Sequence, residues 1–100
     1  MSKNFWLNIQ QSWNDTHKLN IILNVKDIIF GYNIHHGAPS DLSTALNIII
    51  LYGKSVIIKC RLKNLIPNKM VLKNCIKDAL QMCNYEEEIA SLIQRAFLVL

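Results

Sequence analysis

Six basic side chains carry most of the chemistry this chain could perform: Lys59, Arg61, Lys63, Lys69, Lys73 and Lys77. With Lys54 they occupy a stretch that contains no Asp or Glu, and Glu86, Glu87 and Glu88 follow as a cluster of the opposite sign. Cations in such a run meet phosphate oxygens as point charges. The recognition they offer is of a nucleic-acid backbone, indifferent to base identity. The competing use of the same side chains is to keep an otherwise apolar chain in solution.

No other residue types converge. His35 and His36 are adjacent in a loop-like segment and point to different sides of the chain, which is poor geometry for a shared metal, and His17 has no evident partner. Cys75 and Cys83 would share a helical face, yet no two cysteines stand two to four apart as zinc ligands do, so the thiols read as small buried hydrophobes. Three cysteines without a secretory signal predict free thiols in a reducing, intracellular compartment. A glycine-rich phosphate loop, a His-Glu-x-x-His pair and a Gly-x-Ser-x-Gly elbow are all missing, and the three glutamates read as a solvated face. The expectation is a non-catalytic chain with no cofactor and no metal.

The elements that must position the cations are helical. Residues 40–64 form the organising stretch, in which Leu46, Ile48, Ile49, Ile50, Leu51, Tyr52, Val56, Ile57 and Ile58 leave little polar surface. A helix apolar nearly all round is normally buried. Ser40 can cap its start and Asp41 favours its first turn, while Lys59, Arg61 and Lys63 suit its last turns, Asn64 its C-cap and Pro67 its termination. Gly53 in mid-helix predicts a closely crossing neighbour, since such a glycine costs about 1 kcal/mol against alanine. Lys54 and Lys59 interrupt every long apolar span, so no membrane helix is expected.

Around this element the pattern predicts a mostly α, small helical bundle. A first helix over about 4–18 carries Phe5, Ile9 and Trp13 on one stripe with Trp6 beside them, to dock on the central helix; stacking on bases is the functional alternative. A connector over 19–39 is irregular or extended, with a possible short strand and a helical turn from Asn24. One or two helices fill about 68–98: Asn68 caps the first, Val71, Cys75, Ala79 and Met82 or Cys83 form its apolar stripe, and Lys69, Lys73 and Lys77 line the other side. Ile89, Leu92, Ile93, Ala96 and Phe97 form the last apolar face. Lys59 and Lys63 are expected to share a helical face, and the Pro67 turn to gather all six cations on one surface. One hundred residues with 51% hydrophobic content, a net charge of +4 and a pI near 9.1 bound this to one domain that tolerates an anionic partner.

The order of short motifs then points to a family. Asn4-Phe5-Trp6-x-x-Ile9, then Leu23-Asn24-Val25-Lys26-Asp27-Ile28-Ile29-Phe30-Gly31, then Asn47 to Lys54 with Ile57-Ile58-Lys59-Cys60-Arg61, and finally Asn64-Leu65-Ile66-Pro67, resembles the extreme C-terminal region of LINE-type (non-LTR) retrotransposon reverse transcriptases, over about residues 4–92. The polymerase, endonuclease and Cys/His-knuckle motifs of that family are missing, and Gly53-Lys54-Ser55 stands where the family tends to have Lys followed by an aromatic. The resemblance therefore implies an orphan fragment without the parent's activities. Its implied partners are RNA or single-stranded nucleic acid, lost N-terminal neighbour domains and, through uncovered apolar surface, itself.

Overall fold

The computed structural model describes residues 3–30 and 41–97. Among them are five helices and no strand: α1 (Lys3–His17), α2 (Val25–Phe30), α3 (Asp41–Leu62), α4 (Lys69–Met82) and α5 (Glu87–Phe97). The mostly α bundle around one long apolar helix is thus what the sequence builds. Ser40, His35 and His36 lie outside the described residues.

α3 packs against α4 and α5, and α1 packs against the same two helices. The core gathers one stripe from each: Phe5, Trp6, Ile9 and Trp13; Leu46, Ile49, Ile50 and Val56; Leu72 and Ile76; Ile89, Ile93 and Phe97. Both tryptophans are buried, so neither is free to stack on a base. Gly53 faces α1 as its position predicts. A Cβ there would stand 2.8 Å from Trp6 Cη2 and 2.9 Å from Cζ3, so the indole occupies the space that any other residue would need.

Helix ends follow local chemistry. Asn64 adopts a left-handed φ of 55°, Leu65 N–H donates to the Cys60 carbonyl at 2.8 Å and Asn64 N–H to the Arg61 carbonyl at 3.2 Å. These are the paired bonds of a Schellman termination, with Asn64 one position beyond the cap. Asn68 then caps α4 by accepting from Val71 N–H at 3.0 Å. At α1 the same device uses Lys18, also at φ 55°, with Leu19 N–H on the Asn14 carbonyl.

The segment 19–24 forms no strand, because its partner is a row of side chains. Asn14 and Gln10, one turn apart on α1, act as a surrogate strand edge. The Asn14 carboxamide both accepts from Ile21 N–H (3.1 Å) and donates to the Ile21 carbonyl (2.9 Å), and Gln10 accepts from Leu23 N–H at 2.7 Å. Asn24 and Asp27 then exchange backbone-to-side-chain bonds across the first turn of α2, the reciprocal box that starts a helix. Lys54 of α3 donates to the Ile29 carbonyl at the far end of α2.

One expectation fails in an informative way. α3 is buried on one face only: Ser43, Ala45, Leu46, Ile49, Ile50, Gly53, Val56 and Cys60 are inside, whereas Leu51, Ile58 and Leu62 are exposed. The radius of gyration is 13.0 Å, the value of a fully compacted chain of about 100 residues. The bare stripe is therefore not the product of an open fold. α3 also meets the length and hydropathy test of a membrane span, at a mean hydropathy of 1.4 despite its lysines, a test that core helices of soluble proteins pass as well.

Candidate nucleic-acid interface

The α3–α4 hairpin positions all six cations. Lys59 and Arg61 lie exposed near the end of α3, Lys63 in the turn, and Lys69, Lys73 and Lys77 on α4, where Lys73 is half-buried and the other two are exposed. Leu72 and Ile76 face the core, so the lysine row runs along one flank of α4 beside its buried stripe. The expected apolar stripe of α4 is half-buried at Val71 and Cys75 and fails in its final turn, where Met82 and Cys83 are exposed rather than packed. Cys60 alone of the three thiols is fully buried.

The other side of the hairpin is less unified than the spacing suggests. α3 ends at Leu62, and Lys63 is its C-cap, with its N–H on the Cys60 carbonyl at 3.2 Å. Lys59 and Arg61 are separated by about 200° around the α3 axis and flank its outer stripe from opposite sides.

Helix electrostatics separate the cations by what they cost. Lys59 and Arg61 sit in the last turns of α3, where the helix dipole welcomes positive charge, so fold stability alone accounts for them. Lys69 opens α4, a position that disfavours a cation, and α4 has no acidic residue in its first turn to offset it. Lys69, Lys73 and Lys77 also repel one another at i, i+4 spacing. Local stability does not explain this row.

At the opposite end of α3 the charge is negative. Asp41 begins α3 and Glu87 and Glu88 begin α5, each in a first turn where a carboxylate is favoured. The hydrogen bond between Glu88 and Asp41, together with their mutual repulsion, holds the Glu88 carboxyl above its usual range. Asp41, Glu88, Ser91 and Arg95 line an open depression there of about 400 Å³. Among the described residues no group of three metal-ligating side chains forms at this or any other point.

Two long-range contacts leave no trace in sequence spacing. Tyr52 and Tyr85 join their hydroxyls at 2.7 Å, tying α3 to the α4–α5 link, and this bond pushes the Tyr52 phenol upward. His17 Nε2–H donates to the Leu92 carbonyl at 3.1 Å, with its ring edge-on to Trp13 at 4.3 Å between centroids. Burial lowers the His17 pKa, the Leu92 bond opposes that, and Arg95 adds to the lowering. A cavity of about 530 Å³ lies between α1 and α2, lined by Trp6, Leu7, Leu23, Val25 and Ile28 with Lys3 also on its wall.

No family model, curated protein or solved structure matches this chain.

Proposed function

We infer that this chain is a non-catalytic helical module that binds the backbone of RNA or single-stranded nucleic acid, weakly and without regard to sequence. The observation that carries the reading is the α4 row: the helix dipole opposes Lys69 in the first turn, and mutual repulsion at i, i+4 spacing opposes all three of Lys69, Lys73 and Lys77. A ligand with regularly spaced phosphates offsets that local cost. Lys59, Arg61 and Lys63 extend the positive end of the molecule, and the acidic cluster at Asp41 and Glu88 confines a polyanion to it. The motif order that resembles the C-terminal region of a LINE-type reverse transcriptase is consistent with a nucleic-acid role and adds no catalytic residue.

The test is a salt titration with single-stranded RNA. The logarithm of affinity should fall linearly with the logarithm of salt, at roughly 0.7 per phosphate neutralised on a single strand. Replacing Lys69, Lys73 and Lys77 by glutamine should lower affinity and shallow that slope. His17→Ala should change neither. Equal binding by the triple variant and the parent chain at every salt concentration would overturn the reading.

A second reading, a helical interaction module, is favoured by one separate observation: the bare outer stripe of α3.

A further inference from the structure

Leu51, Ile58 and Leu62 face away from the core at 62%, 59% and 81% exposure, with half-buried Ser55 between them. Counted along α3, Leu51, Ser55, Ile58 and Leu62 fall on successive d, a, d and a positions of a heptad, the spacing by which two helices interlock their seams. The stripe spans three turns, about 16 Å. Apolar exposure continues past the helix end into Leu65 and Ile66. Single exposed leucines are ordinary, but a helical row of them marks an interaction face.

The flanks of the stripe select its occupant. Lys54 and Arg61 take g positions and Lys59 an e position, while no Asp or Glu occurs between Lys54 and Lys77. A second copy would set these cations against themselves in either orientation, since parallel pairs match g with e and antiparallel pairs match like with like. Acidic flanks on a different helix would instead meet attraction on both sides of the seam.

We propose that the outer face of α3 receives one amphipathic helix of a partner protein, with Leu or Ile along its contacting seam and Glu or Asp on both flanks. The stripe and its charges form a half-complete heterotypic coiled-coil interface. Binding places Leu51, Ile58 and Leu62 into the partner's seam and pairs Lys59 and Arg61 with its carboxylates. This goes beyond the nucleic-acid reading and stands without it.

The experiment uses the whole chain and two synthetic helical peptides of about four heptads, long enough to be helical alone. Both carry Leu and Ile on the seam; one has Glu on its flanks and the other Lys. Fluorescence anisotropy should show the Glu-flanked peptide binding at least about tenfold tighter, and Ile58→Ser or Leu62→Ser should each weaken it by about tenfold. The pair Lys59→Glu with Arg61→Glu should invert the preference, making the Lys-flanked peptide the better ligand. The serine variants should leave RNA affinity unchanged, which separates failure here from failure of the nucleic-acid reading. Equal binding of the two peptides, or Glu-peptide binding that ignores both serine substitutions, overturns the proposal. So does a dimer in sedimentation that Ile58→Ser dissolves, which assigns the stripe to a second copy, or adsorption to phosphatidylserine vesicles that the serine variants abolish while peptide binding is nil.

Discussion

The two faces of α3 have nearly the same hydrophobicity and opposite fates. Ile49, Ile50 and Val56 are sealed against α1, α4 and α5, whereas Leu51, Ile58 and Leu62 meet solvent. What distinguishes them is company. The inner face intersperses small residues, Ser43, Ala45, Gly53 and Cys60, that let neighbours approach, and at Gly53 the Trp6 indole fills the gap. The outer face intersperses cations, which keep that side wet. Small residues mark the side that the fold uses; flanking charge marks the side that stays in solvent.

The comparison can be broken most severely at Ile49. An aspartate there is a buried charge with no partner, costing several kcal/mol even after relaxation, and circular dichroism should show loss of the cooperative melt. Retention of a native melt would mean that the inner face is not the core.

Gly53→Ala sharpens the contrast by adding one methyl. Overpacking costs about 1–3 kcal/mol, partly offset by about 1 kcal/mol of recovered helix propensity. A net loss of about 1 kcal/mol in urea unfolding is expected, because the atoms in the way belong to a rigid indole, and Trp6→Leu should remove the penalty.

The clamp from α1 to α5 should be visible as a pH dependence. His17 has a lowered pKa in the folded chain, so the unfolded chain takes up the proton first as pH falls. Stability should be complete above about pH 6.5, the ordinary histidine value, and decline on acidification below it. His17→Gln should flatten that part of the profile, and an unchanged profile would remove His17 from the account.

The smallest effect belongs to the outer face itself. Leu51→Ser should change unfolding free energy by no more than about 0.5 kcal/mol, the range of ordinary surface substitutions. A loss of several kcal/mol would show that this face is packed after all.

Sequence legibility divides along a physical line. Features settled within a few residues were readable: the Asn68 cap, the termination at Asn64, the helical turn after Asn24, and the stripe of Phe5, Ile9 and Trp13; the close crossing at Gly53 was readable too, because a mid-helix glycine signals a neighbour even when that neighbour, Trp6, is far along the chain. Which side of α3 turned inward was not, because apolar residues on both sides give periodicity no contrast to work with. Nor were the pairings of His17 with Leu92 and Tyr52 with Tyr85, each of which exists only once segments distant in sequence are docked. For the cations the sequence located the row on α4, while on α3 Lys59 and Arg61 flank the outer stripe from opposite sides.

The central claim is that α3 organises this fold through its inner face alone, with its outer face bare. Site-resolved amide hydrogen exchange on the isolated chain tests it most directly. The account predicts that amides from Ala45 to Cys60 are the slowest to exchange and open only with global unfolding, with α1 and α5 intermediate and α2 fastest. If the amides of α3 exchange faster than those of α1, the bare face has left the helix unsupported and the claim is wrong.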